Sequence, residues 1–126
     1  MLTEHYMRLH HEIDIALDPF PFGGGTTSCD ALFMGVPLVT LKGATGAGRA
    51  GTTLLSNMGL GELIARSTDE YASIAKSLAG DVPRLVGLHG ELRERMRRSP
   101  LMDARGFALD MEAVLRTMWE RWCEGR

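Results

Sequence analysis

Apolar residues along this chain switch between two rhythms, and each switch marks an element. Leu2, Tyr6 and Leu9 share one face of a helix or helix end over Met1–Glu12. Ile13–Leu17 is a nearly continuous apolar run, as expected of a strand buried on both faces of a parallel sheet, and Asp18-Pro19 stops it. Helical spacing returns over Thr26–Met34 through Cys29, Leu32 and Phe33, with Gly35 as its C-terminal stop. Val36–Leu41 predicts a second strand, with Pro37 near its start, where a missing N–H is tolerated.

A flexible loop at Gly43–Gly51 leads into an apolar helix through Leu54, Leu55 and Met58 that closes at Gly59. Leu63–Ala65 suits a short third strand. Ser67 followed by Glu70 forms a capping box that starts a helix carrying Tyr71, Ile74, Ala75 and Leu78 on one side. The helix over Asp81–Arg98 has Leu85, Leu88, Leu92 and Met96 as its inner stripe, and Ser99-Pro100 breaks it. From about Asp103 to Cys123 a last helix repeats Phe107, Met111, Val114, Leu115, Met118, Trp119 and Trp122. So wide a stripe is expected to lie across other helices and fasten the C-terminus. Strands alternating with helices, then helices alone, predict an α/β layer around a parallel sheet. Two or three strands make a thin sheet, which hints that a partner segment is missing.

Composition narrows the class. The 126 residues fit one domain, and 44% hydrophobic with 24% charged residues is ordinary for a globular protein. A net charge of −2 offers no broad basic surface to nucleic acid. No apolar run approaches the ~20 residues of a membrane span, and no signal peptide is visible, so a cytoplasmic protein is expected. Cys29 and Cys123 lie far apart, without metal-ligand spacing, and are expected to be reduced thiols.

The segment Asp18–Asp30 (DPFPFGGGTTSCD) carries the clearest chemistry. A strand delivers the chain to Gly23, Gly24 and Gly25, and a helix opens at Thr26 or Thr27. The first N–H groups of a helix lack partners, and its dipole places roughly half a positive charge there. Glycines let backbone approach an anion, and Thr26, Thr27 and Ser28 add hydroxyls, a combination that suits a phosphate or diphosphate. The pattern is neither GxGxxG nor GxxxxGK[ST], so it specifies neither a dinucleotide nor an ordinary P-loop. The same residues also suit a tight turn with Thr26 as N-cap and no ligand. Asp30 either reaches back toward a ligand hydroxyl, such as a ribose, or simply complements the helix dipole.

These residues also carry a resemblance. The run Ile13–Gly43 (IDIALDPFPFGGGTTSCDALFMGVPLVTLKG), Arg49-Ala-Gly, Gly59–Ile64, Asp69-Glu-Tyr, Ser99-Pro-Leu and the Met118-Trp end resemble the SPINDLY / O-linked N-acetylglucosamine transferase family over nearly the whole chain. The resemblance implies a Rossmann-like parallel sheet with flanking helices, part of the C-terminal lobe of a glycosyltransferase-B type fold. It implies residues 1–126 as a single donor-binding unit, with C-terminal helices from about residue 84. It further implies that Thr26 and Thr27 bind the donor diphosphate beside the Gly23–Gly25 turn, and that Asp30 lies near the ribose. His5 resembles the histidine that packs on the nucleobase, and Gly25 stands where animal members have a histidine. The implied donor is UDP-N-acetylglucosamine, the implied acceptors are serine or threonine of proteins, and no metal cofactor is implied. The N-terminal catalytic lobe and tetratricopeptide repeats of such an enzyme are absent from this sequence, so the chain alone is expected to be inactive. Alternatives are a related transferase using GDP-fucose, and a non-catalytic module that binds protein through its last helix.

Elsewhere the chemistry is weaker. His10-His11-Glu12 are adjacent on a helix and cannot readily share a metal ion. His89 reads as a solvated or helix-packing histidine. Arg93, Arg95, Arg97 and Arg98 interleave with Glu91 and Glu94, as on a salt-bridged surface. Arg49 follows a glycine-rich loop and could meet an anionic ligand, although loop arginines are more often simply solvated.

Overall fold

Parallel pairing needs a crossover between neighbouring strands, and here each crossover carries a helix. β1 (Ala16–Leu17), β2 (Leu38–Leu41) and β3 (Ile64–Ala65) form a parallel sheet in that spatial order. α2 (Thr26–Phe33) joins the first pair and α3 (Ala50–Asn57) the second. α1 (Leu2–Leu9) precedes the sheet; α4 (Thr68–Ala79), α5 (Val82–Arg98) and α6 (Ala104–Cys123) follow it. The computed structural model describes residues 2–125, with Leu2 by its backbone only. Met1 and the Leu2 side chain of the expected first helix, and Arg126 at the end of the 1–126 unit, lie outside the described residues.

Ala16 pairs with Leu38 and Leu17 with Val39, while Thr40 and Leu41 pair with Ile64 and Ala65. β2 is therefore the central strand, with Leu38, Val39 and Thr40 all buried. Around it Leu32, Leu55, Leu60, Leu63, Leu78 and Leu92 form the core. Each such side chain contributes about 1.5–3 kcal/mol on burial.

The first strand departs from expectation. Only Ala16 and Leu17 of the Ile13–Leu17 run are strand, and Leu17 is 55% exposed. Its N–H groups place it at the edge of the sheet. Those of Ala16 and Asp18 donate to the carbonyls of Pro37 and Val39, at 2.8 and 2.9 Å. Alternate peptide groups of a strand face opposite ways, so those of Ile15 and Leu17 face an open sheet edge. β1 is thus the edge strand of the sheet among the described residues.

α4 and α5 match their predicted stripes. Ser67 caps α4 by accepting the Glu70 N–H at 3.1 Å, and Leu88, Leu92 and Met96 of α5 are buried. α5 also clasps the end of α2. Gly35 takes φ 90°, and a Cβ there would sit 2.8 Å from the His89 carbonyl oxygen. Arg93 donates to the Phe33 carbonyl at 2.8 Å and lies 4.9 Å from the centre of the Phe33 ring. Arg93 thus caps a helix rather than decorating a charged surface, while Arg95–Glu91 and Arg98–Glu94 do form ion pairs. His89 packs as a helix histidine, its Nε2 3.1 Å from the Asp14 carbonyl oxygen.

α6 corrects the sequence expectation most plainly. Asp103 caps it by accepting the Gly106 N–H at 2.8 Å, yet none of its residues is buried. Phe107, Met111, Leu115, Met118, Trp119 and Trp122 all face solvent, and the helix packs mainly against the Pro100–Met102 turn. A stripe in sequence establishes an apolar face, not that its cover lies within the same chain. Among the described residues, no helix is long and apolar enough to cross a membrane.

Candidate functional site

The site is organised by a residue that the sequence marks only as the stop of a strand. Asp18 ends β1 and is only 3% exposed. Its Oδ1 accepts the Gly24 N–H at 2.9 Å and the Ser28 hydroxyl at 3.0 Å, while its Oδ2 accepts the Thr40 hydroxyl at 2.7 Å. A buried carboxylate is tolerable when hydrogen bonds replace water, and three do so here. The Asp18 carbonyl also accepts the Tyr71 hydroxyl at 2.9 Å, and the Tyr71 ring meets Phe20 edge-on at 5.4 Å. Gly51 of α3 packs against the same carboxylate, where a Cβ would overlap Asp18 and Thr40. Asp18 thus joins β1, the glycine turn, α2, β2, α3 and α4. An acid closing an apolar strand, five positions before a run of glycines, was the available signal.

The turn leaves Gly25 as the residue before α2, at φ 54° and ψ −106°, a conformation open to glycine. A Cβ on Gly24 would come within 2.6 Å of the Ser28 hydroxyl, so glycine is needed there for space. Thr26 is the first helical residue, not the N-cap, and the cap makes no side-chain hydrogen bond. Thr27 N–H and Cys29 N–H return to the carbonyls of Gly24 and Gly25, at 3.2 and 3.0 Å. The N–H groups of Gly25, Thr26 and Ser28 have no acceptor among the described residues. Three unpaired donors at a helix start form a ready anion site.

The hydroxyls divide differently from the sequence expectation. Ser28 is buried and donates to Asp18, so it braces the turn rather than facing a ligand. Thr27 donates to the Gly24 carbonyl at 2.9 Å. Thr26 is exposed and its hydroxyl has no partner among the described residues. Gly24 N–H is taken by Asp18, so Gly24 supplies shape, and Gly23 sits against the same carboxylate.

Asp30 lies four residues after Thr26, hence on the same helical face and about 6 Å further along. Its Oδ2 accepts the Tyr6 hydroxyl at 3.1 Å. Burial first, then that hydrogen bond and the Asp30 charge, push the Tyr6 phenol above its ordinary value of 10.0. Burial and the Asp30 charge likewise push the Cys29 thiol up, which keeps it protonated and unreactive. Tyr6 meets the His10 ring edge-on at 5.0 Å. With Thr27 and Ala31 it lines a cavity of about 230 Å³ beside the start of α2. His5 is exposed and does not line this cavity. The aromatic ring at the site is that of its neighbour.

Arg49 donates to the carbonyls of Gly43 and Ala44, at 2.9 and 3.1 Å, and so folds its own loop. That loop reaches the turn at Gly48, where a Cβ would lie 3.0 Å from the Pro21 carbonyl oxygen. His10, His11 and Glu12 form a tight helical turn. No group of three or more His, Cys, Asp or Glu is placed to share a metal ion among the described residues.

Comparison with known proteins gives the arrangement a context. Residues 2–111 match the family described as glycosyl transferase family 41. The chain is 44% identical over 125 residues to a probable UDP-N-acetylglucosamine–peptide N-acetylglucosaminyltransferase SPINDLY of Eustoma exaltatum subsp. russellianum, covering 99% of this chain and 14% of that protein. It is 34% identical over 122 residues to the UDP-N-acetylglucosamine–peptide N-acetylglucosaminyltransferase of Caenorhabditis elegans, covering 97% of this chain and 11% of that one. Among solved structures, an O-GlcNAc transferase mutant of Thermobaculum terrenum superposes with a TM-score of 0.87 at 42% identity, over 95% of this chain and 23% of that one. The parallel sheet with flanking helices is thus the fold of part of that transferase.

Proposed function

The chain belongs to glycosyl transferase family 41, and from that premise we propose that it is the donor-binding part of a protein O-glycosyltransferase. The donor is UDP-N-acetylglucosamine and the acceptor a serine or threonine hydroxyl. The chain spans 14% of the length of its SPINDLY relative, so the transfer reaction belongs to a larger polypeptide. Residues 1–126 act as one unit, and an N-terminal catalytic lobe supplies the other wall of the cleft. A cytoplasmic setting agrees with the two free thiols.

The observation that carries this function is the trio of unpaired N–H groups at Gly25, Thr26 and Ser28, beside the free Thr26 hydroxyl. In the reaction the diphosphate departs with negative charge. Donors fixed at a helix start stabilise that charge without reorganising, which lowers the barrier to leaving. Gly23 and Gly24 shape the turn, Thr27 lines its inner side, and Asp30 takes the ribose. Arg49 holds the neighbouring loop against the turn. His5, exposed next to Tyr6, is the contact for the nucleobase.

The test is to titrate the chain with UDP, GDP and inorganic pyrophosphate while following backbone amide signals. Amides of Gly24 through Asp30 are expected to move first, with UDP binding more tightly than GDP. Tighter GDP binding would favour a GDP-fucose enzyme, and movement confined to other regions would remove the turn from the site. A second reading, a protein-binding module without catalysis, draws on the exposed apolar face of α6. It is favoured if none of the three anions moves the turn.

A further inference from the structure

We propose that Tyr6 is a specificity-determining, positioning residue that aims Asp30 at the ribose of the nucleotide, an inference that rests on the donor-site function above. A carboxylate at a helix surface has free rotation about its side-chain bonds and would read a sugar poorly. Here one of its oxygens, Oδ2, is held by the Tyr6 hydroxyl at 3.1 Å, from a residue 24 positions away. Tyr6 is itself fixed. Its ring is held edge-on by His10, which is buried, and His10 Nδ1 lies 3.2 Å from the Tyr6 carbonyl oxygen. An ionised carboxylate has about four acceptor positions. One is spent on Tyr6, and those of Oδ1 have no partner among the described residues.

The placement along α2 gives that free oxygen its target. The unpaired N–H groups at Gly25 and Thr26 mark where phosphate sits, and Asp30 lies one turn further along the Thr26 face. A nucleoside diphosphate laid along this face puts its ribose after its phosphates, opposite Asp30. Tyr6 sits over the adjoining strip, lining the cavity with Thr27 and Ala31. Tyr6 therefore acts through Asp30. It separates nucleotides from bare diphosphate and leaves the phosphate subsite untouched.

The experiment measures the affinities of UDP and inorganic pyrophosphate for the chain, for Tyr6→Phe, for Asp30→Ala and for the double variant, by amide-signal titration. Tyr6→Phe keeps the ring and its packing and removes only the hydroxyl. UDP affinity is expected to fall about tenfold in Tyr6→Phe, because an unaimed Asp30 loses its hydrogen bond to the ribose, one made to a charged group. It should fall at least as far in Asp30→Ala, and no further in the double variant, since the two residues act as one unit. Pyrophosphate affinity should stay within twofold throughout. Unchanged UDP affinity in Tyr6→Phe, or additive losses in the double variant, would overturn the role of Tyr6. If pyrophosphate fails to move the Gly25–Ser28 amides of the unaltered chain, it is the donor site itself that fails.

Discussion

At the scale of single residues, polar groups here divide into those that hold the fold and those left over for a ligand. Asp18 belongs to the first kind. Asp18→Ala strands the Gly24 N–H and the Ser28 and Thr40 hydroxyls, at about 1–3 kcal/mol for each buried group left unpaired. A loss of about 3 kcal/mol or more in unfolding free energy is expected from urea denaturation. Thr26, exposed and with its hydroxyl unpaired among the described residues, is of the second kind in the proposed site. Thr26→Ala should change stability by less than about 0.5 kcal/mol, as exposed substitutions do, while weakening UDP binding. The two tyrosines, Tyr6 and Tyr71, give a pH test. Both phenols are pushed above 10.0, Tyr6 as described and Tyr71 by burial first and the Asp18 charge second. Their raised folded values mean that this contribution is fully present below pH 10 and is lost as pH rises through the folded pKa values. An alkaline absorbance titration should show both tyrosines ionising above their ordinary midpoint; a tyrosine ionising at or below it would contradict the Tyr6–Asp30 or Tyr71–Asp18 contact.

Elements were legible in proportion to how much of their partner lies in the chain. α4 and α5 followed their stripes because Leu78, Leu88, Leu92 and Met96 meet the core that the same sequence supplies. β1 came out shorter and more exposed than its apolar run implied, and it lies at the edge of the sheet among the described residues. The site showed the same limit: the glycines and Thr26 were readable from local spacing. Asp18 and Tyr6 were not, since their partners lie up to 53 residues away and only the fold brings them together. Helix junctions give a direct test. Gly35→Ala forces a side chain into positive φ and against the His89 carbonyl, and should cost about 2 kcal/mol or more, read from the thermal or urea midpoint. α6 gives the opposite expectation. Trp119 and Trp122 are the only tryptophans and are 63% and 71% exposed, so fluorescence reports this helix alone. Emission typical of water-exposed indole and ready quenching by iodide are expected; a blue-shifted, protected emission would mean that the helix has found cover.

For the whole molecule, binding and catalysis are expected to separate. One wall of a cleft can hold a diphosphate, whereas transfer needs donor and acceptor hydroxyl aligned in a water-excluding site. The purified chain incubated with UDP-N-acetylglucosamine and acceptor proteins is expected to leave serine and threonine unmodified by mass spectrometry. Modification that depends on this chain alone would mean that the single lobe suffices.

The crowding around Asp18 reaches beyond any one protein. Its carboxylate occupies the space a side chain at position 51 would need, and its second oxygen depends on the hydroxyl at position 40. Three positions far apart in sequence are therefore expected to behave as one inherited character. In an alignment of descendants of a common ancestor they should change together or not at all. Lineages that gain a side chain at 51 should be those that have lost the acid at 18, and a lineage that keeps Asp18 beside a bulky residue at 51 should be missing.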